Sequence, residues 1–177
     1  MSGAMFHQMD YLYKEKIINI FYLDADPVKA AEMHCDKHVC KMIIETAQMM
    51  SSVQARYGLE NPPYKPTHQK HPSTLWSGDN TLHYAWLRAL GLSLCREYTK
   101  RYNKTHKTEA IIKDLWSAPL GMPTGEWSNP PQCMPDECKM DDTIDAYRKY
   151  YVIAKAKFAK WAHATKAPQW WPKLQTM

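Results

Sequence analysis

Hydrophobic positions along this chain recur mainly at helical spacing. Val28, Ala31, Cys35, Val39, Met42, Thr46 and Met50 lie three or four residues apart, the stripe of a helix with one face turned to a core. Asp26-Pro27 opens the stretch, an N-cap acceptor followed by a residue whose fixed φ suits the first turn. The helix predicted there ends by Gly58, with room to break earlier. Leu82, Trp86, Leu90, Leu94 and Tyr98 predict a second helix, capped by Asp79 or Asn80 and running to about Tyr102. A short helix is expected over 108–116. Asp142 caps a last helix whose apolar face holds Ile144, Tyr147, Tyr151, Ala154, Phe158 and Trp161. Only residues 17–23, IINIFYL, read as strand or buried extended chain.

Polar and proline-rich stretches separate these runs. Residues 58–78 carry four prolines and are expected to be irregular, while their Tyr, Trp, His and Lys content argues against disorder. Residues 117–141 form a second Pro-rich loop, and the tail APQWWPK is expected to pack as irregular chain. The class is all-α: a compact single domain of three long helices and a short one, with two long Pro-rich loops lining a cleft. Residues 1–18 are expected to be an N-terminal extension, and 19–177 the helical domain.

Composition narrows the setting. A hydrophobic share of 45% and a charged share of 23% are ordinary for a globular chain, and this length buries a core without disulfides. The five cysteines are odd in number and unevenly spread, which fits free thiols in a reducing compartment. No run is long and apolar enough to span a membrane, and MSGAMFHQMDYLYKEK lacks a signal peptide's apolar stretch. The expected location is the cytoplasm, or a host's cytoplasm for a viral protein. The net charge of +5 is unevenly placed: from Thr143 onward seven Lys or Arg face Asp145 alone. That basic end is either a solvated helix face or a surface for phosphates.

Four clusters carry chemistry. In the first helix His34, His38, Lys41 and Glu45 fall within a narrow arc at 100° per residue, beside the apolar stripe. Ionisable groups crowded at the edge of a buried face shift each other's pKa, as a catalytic cleft requires; a surface salt-bridge ladder is the alternative. Glu45 and His38 suit acid–base or electrostatic work. His34 and His38 at i and i+4 also have metal-ligand spacing, but Cys35 stands where a zinc protease has Glu. The Cys pairs 35/40 and 133/138 are five residues apart, too far round a helix to converge on a metal; the expectation is neither a metal nor an organic cofactor. The second cluster, Tyr64, Lys65, His68 and His71, offers donors in a stiff loop for phosphates or a small anion. Asp136 and Lys139 form a candidate second cleft wall, or a charge box for the last helix. Arg148, Lys149 and Tyr150, with Lys157 further on, interleave basic and aromatic side chains, which suits phosphate contact plus base stacking. No Gly-rich phosphate loop, dinucleotide fingerprint, kinase motif or serine elbow is present.

The order of these pieces resembles the pyrimidine-dimer DNA glycosylase/AP lyase family, the endonuclease V type of T-even phages. The matching residues are Asp36-Lys37-His38 with Glu45 seven residues on. They continue with His71-Pro72-Ser73-Thr74, then Tyr84, Leu87, Leu90, Glu97 and Arg101-Tyr102. Tyr147-Arg148-Lys149-Tyr150-Tyr151 closes the series. The resemblance implies a compact all-α enzyme that bends duplex DNA and cleaves an N-glycosidic bond. In that family an N-terminal α-amine forms a Schiff base with the sugar, and a Glu stabilises the cationic intermediate. Glu45 is then the catalytic carboxylate and His38 its helper. The amine does not carry over, because some eighteen residues precede Asn19; the extension folds back, or a lysine such as Lys41 replaces it, or the chemistry differs. The leading expectation is a metal-free enzyme acting on a base or its glycosidic bond in double-stranded DNA. A binder or enzyme for a nucleotide or other small anion, and a non-catalytic nucleic-acid-binding protein, are the rivals. Oligomeric state is open.

Overall fold

The computed structural model describes residues 18–164 and 166–172. The expected N-terminal extension, apart from Ile18, lies outside them, as do Ile17 and Lys173. Among the described residues there are six α-helices and no strand, an all-α fold. They are α1 (Pro27–Met33), α2 (Asp36–Arg56), α3 (Pro72–Asp79), α4 (Thr81–Tyr102), α5 (Glu109–Asp114) and α6 (Thr143–Ala154), with a 3-10 turn at Asp136–Cys138. No helix among these residues is long and apolar enough to cross a membrane.

The long helices α2 and α4 pack on each other at the centre. Helix α1 lies against α4, α3 contacts both long helices, and α5 closes against α4 and α2. Val39, Met42, Ile43, Met50, Leu87, Leu90 and Leu94 are all buried in this interface. The approach is close at Gly91, where an added Cβ would come within 2.9 Å of the Thr46 side chain and 3.2 Å of Ile112. IINIFYL forms no strand and is buried over its described part, 18–23, with Leu23 N–H turned back onto the Phe21 carbonyl at 2.9 Å. Phe21 sits at the heart of an aromatic group, with its ring centroid 4.6 Å from His38, 5.4 Å from Tyr151 and 6.1 Å from Tyr150.

Several helix ends follow from local chemistry. The Asp26 side chain accepts from the Val28 N–H, Asn80 from His83 and Asp142 from Asp145, each satisfying an orphan donor of a first turn. Asn103 stops α4 in the left-handed conformation at φ 53°, which Asn tolerates better than most residues.

Four expectations are corrected. The first helix is two: the chain is extended at His34 and Cys35, so His34 shares no helix with His38, Lys41 and Glu45. Its breaking partners are distant in sequence. Cys35 N–H donates to the Tyr151 hydroxyl at 3.1 Å, and Asp36 N–H to the Lys160 carbonyl at 2.8 Å. Val28 and Leu82, placed on core stripes by spacing, are exposed. Residues 72–78, read as the end of a structureless loop, belong to helix α3. His71 is its N-cap, with the ring Nδ1 accepting from Ser73 N–H at 3.1 Å, and Pro72 occupies the first turn. Helix α6 stops at Ala154, so Phe158, Trp161 and Lys157 lie beyond it.

Candidate active site around Glu45

Glu45 projects from the middle of α2 and is 9% exposed. Its Oε2 accepts the backbone N–H of Asn19 at 3.3 Å, and its Oε1 lies 3.5 Å from Lys41 Nζ, one turn back on the same helix. Burial raises the carboxyl's pKa above the usual range. The Lys41 charge, the Asn19 N–H and the charge of Lys155 pull it partly back. A carboxylate so placed is a preorganised negative charge in a poorly solvated site.

Asn19 ties this carboxylate to the second Pro-rich loop. Its Nδ2 donates to the Cys133 carbonyl at 2.9 Å, and its Oδ1 lies 2.9 Å from the Tyr147 hydroxyl. That hydroxyl also accepts the Cys133 N–H at 3.2 Å. Cys133 Sγ is in turn 3.5 Å from Ser73 Oγ in the first turn of α3. Asn19, Cys133, Tyr147 and Ser73 thus form one bonded group beside Glu45, a grouping that spacing along the chain does not show. Lys155, at the C-terminal end of α6, is a further missed residue. Its Nζ donates to Tyr150 OH at 3.2 Å and lies 5.8 Å from the centre of the Phe21 ring.

His38 is buried at 3% exposure, two turns before Glu45. Its ring lies between Phe21 and Phe158, at 4.6 and 5.3 Å, and its Nδ1 is 2.7 Å from the Tyr151 hydroxyl. Burial pushes its pKa well below the ordinary value, with His34, Lys155, Lys41 and Lys37 acting in the same direction. His34 is fully buried and its ring Nδ1 donates to the Ala30 carbonyl at 2.6 Å. Desolvation lowers its pKa to about 4. It caps the end of α1, fully buried, where spacing had placed it on the cleft-lining stripe of the same helix as Glu45.

The first Pro-rich loop reaches α2 beyond Glu45. Ser52 Oγ donates to the Thr67 carbonyl at 3.0 Å and accepts the Thr67 N–H at 3.1 Å. Ser52 follows Glu45 by seven residues, on nearly the same helix face and about 10 Å further along. Tyr64 OH is 3.0 Å from Thr108 Oγ1, Lys65 is exposed and His68 and His71 are half-buried. Asp136 and Lys139 pair with each other at 2.9 Å on the surface. Of the basic-aromatic run, Lys149 is exposed, as is Lys157 further on. Arg148 is an internal tie, donating to the Leu23 carbonyl at 2.9 Å and stacking on Trp170. Tyr150 is buried and stacked on Phe21, so the expectation that it stacks on a base is corrected: its ring belongs to the core.

A cavity of about 660 Å³ opens elsewhere, between α1, α4 and the tail, lined by Met33, Glu97, Lys100, Arg148 and Trp170 among others. Neither Glu45 nor His38 borders it. Among the described residues no three His, Cys, Asp or Glu side chains converge as metal ligands.

No curated protein and no solved structure gives a significant match to this chain. A family model described as pyrimidine dimer DNA glycosylase matches residues 18–110, just over half of the 177 residues. The match spans Asn19, His38, Lys41, Glu45, the first loop and both long helices. This chain belongs to the pyrimidine dimer DNA glycosylase family.

Proposed function

We propose that this protein is a DNA glycosylase that opens the N-glycosidic bond of a damaged pyrimidine in duplex DNA, with Glu45 as the catalytic carboxylate. The observation that carries the reading is the buried Glu45 held between Lys41 and the Asn19 N–H, inside the segment that matches the family. As the base departs, positive charge grows on the sugar, and a fixed carboxylate in a poorly solvated site stabilises it. Burial raises Glu45's pKa while Lys41 and Lys155 oppose the rise, and the chemistry requires the ionised form.

The amine is the open element. The nitrogen on Glu45 is the peptide nitrogen of Asn19, which has no lone pair to give. Lys41 is the lysine beside the carboxylate, and we assign it, or the chain's true terminal amine, as the group that attacks C1′. In that step the ammonium first gives up its proton, and the neutral amine's lone pair forms the N–C1′ bond as the base leaves with the glycosidic electrons and takes one N–H proton. The C1′–O4′ bond then breaks with its electrons on O4′, which takes the second N–H proton, and the nitrogen closes the C1′=N imine. Lys65, His68 and His71 are assigned to the strand near the lesion, and Lys149 and Lys157 to flanking phosphates.

Borohydride trapping on abasic duplex DNA tests this. A reduced covalent adduct mapping to Lys41 or to the N-terminus supports the assignment. An adduct elsewhere refutes the choice of amine, and base release without adduct makes Glu45 an activator of water.

A further inference from the structure

The hydroxyl of Tyr151 sits at a buried junction of three groups. Its oxygen accepts the Cys35 N–H at 3.1 Å; it lies 2.7 Å from His38 Nδ1 and 3.5 Å from Cys35 Sγ. A phenol has one proton to give. An imidazole nitrogen is a much better acceptor than a thiol sulfur, and it is the nearer of the two. Cys35 Sγ lies within the hydroxyl's donating reach at 3.5 Å, but on this ranking the proton goes to Nδ1, which leaves Nδ1 bare and the ring's own proton on Nε2.

We propose that Tyr151 is a positioning residue that locks His38 in its Nε2–H tautomer, so that His38 serves the Glu45 site as a neutral hydrogen-bond donor and not as a proton-transfer group. The packing supports this on every side. Phe21 and Phe158 clasp the ring, and Tyr151 itself is fully buried. The charged and titratable groups around His38 are His34 before α2, Lys37 and Lys41 on α2, and Lys155 at the end of α6, and all of them oppose a proton on it. The hydroxyl of Tyr151 stays protonated, because burial holds its pKa well above 10. A neutral donor about 10 Å along α2 from Glu45 suits a phosphate or sugar oxygen next to the reacting nucleotide. That last step rests on the reading of Glu45 given above; the tautomer does not.

The test uses the full chain labelled with 15N-histidine, with His38→Gln to assign the signals. The wild type is expected to show a bare Nδ1 and a protonated Nε2 for His38, unchanged between about pH 5.5 and 8. Tyr151→Phe should shift the Nδ1 signal and admit the other tautomer. Nitrogen signals with the proton on Nδ1, or a His38 that titrates near neutrality, would overturn the proposal. In base release, Tyr151→Phe should lower kcat by about tenfold, the worth of one hydrogen bond, with KM within twofold. His38→Gln, which keeps an N–H donor, should retain more activity than His38→Ala. If Tyr151→Phe merely lowers Tm, with tautomer and kcat unchanged, Tyr151 is structural and the proposal fails. If the wild type releases no base, the Glu45 reading falls, and the nitrogen signals still decide the tautomer.

Discussion

At the scale of single residues, the role proposed for Glu45 has a cost in stability. Its pKa is raised in the fold by burial, so the folded state disfavours the charged form. That penalty is absent below the ordinary carboxyl pKa and grows as pH rises through the raised one. Glu45→Gln keeps the shape and an acceptor for Asn19 N–H while deleting the charge. It should match or exceed the wild type in Tm at pH 7, lose that margin in acid, and lose base release by about 10²-fold or more. Thermal melts at several pH values beside activity assays check both halves. His34 carries the opposite sign. Its pKa of about 4 lies below the unfolded value of about 6.5, so its contribution is full above pH 6.5 and drains away as pH falls toward 4. The linkage is worth roughly 3 kcal/mol. His34→Asn, which keeps an amide N–H for the Ala30 carbonyl, should flatten the acid limb of a stability–pH curve. An unchanged limb would assign acid unfolding to other groups. Glu45, Lys41 and His38 were legible from the sequence because helical spacing puts them on one face. Asn19's place beside Glu45 was not, since it lies outside any helical stripe, and Tyr147 and Cys133 join it only through contacts with Asn19 more than a hundred residues away in sequence.

Among the elements, caps were legible and tertiary breaks were not. Asp26-Pro27, Asn80 and Asp142 announce their helices with local hydrogen-bonding chemistry. His71-Pro72 does the same for α3, yet it sits in a proline-rich stretch that reads as loop. The α1–α2 break has no local cause. It is held by Tyr151, Lys160 and above all Arg101, whose guanidinium donates to the carbonyls of His34 and Glu32 at 2.7 and 3.0 Å. The same group pairs with Asp36 at 3.2 Å and Glu97 at 3.0 Å. Asp36 also accepts the His163 N–H at 3.1 Å, so one buried cation joins α1, α2, α4 and the tail. Removing it leaves two carboxylates and two carbonyls without their donor. Arg101→Ala should cost about 3–5 kcal/mol in chemical denaturation, whereas Arg56→Ala, whose pair with Asp79 is half exposed, should cost about 1 kcal/mol or less. Equal losses would contradict the central place given to Arg101.

For the molecule as a whole, the helical class followed from spacing, but the surface did not. The basic-aromatic run of α6 suited phosphate contact plus base stacking, and its members divide: Tyr150 is buried, Arg148 is half-buried and tied to Leu23, Lys149 is exposed, and Lys157 is exposed beyond the helix. If the exposed lysines follow the phosphates, binding weakens with salt at about 0.9 per phosphate neutralised. Reversing Lys149 and Lys157 to Glu should then flatten the slope without disturbing the fold, and a slope left intact would place the phosphate track elsewhere. The central claim is that Glu45 drives glycosidic cleavage in damaged DNA. Its most direct test is single-turnover release of base from a duplex containing one pyrimidine dimer, comparing wild type with Glu45→Gln at equal occupancy of DNA. The wild type should release the base and the variant should lose about 10²-fold or more of that rate, with binding retained. A folded wild type that binds the duplex and leaves every glycosidic bond intact, or a variant that cleaves as fast, would contradict it.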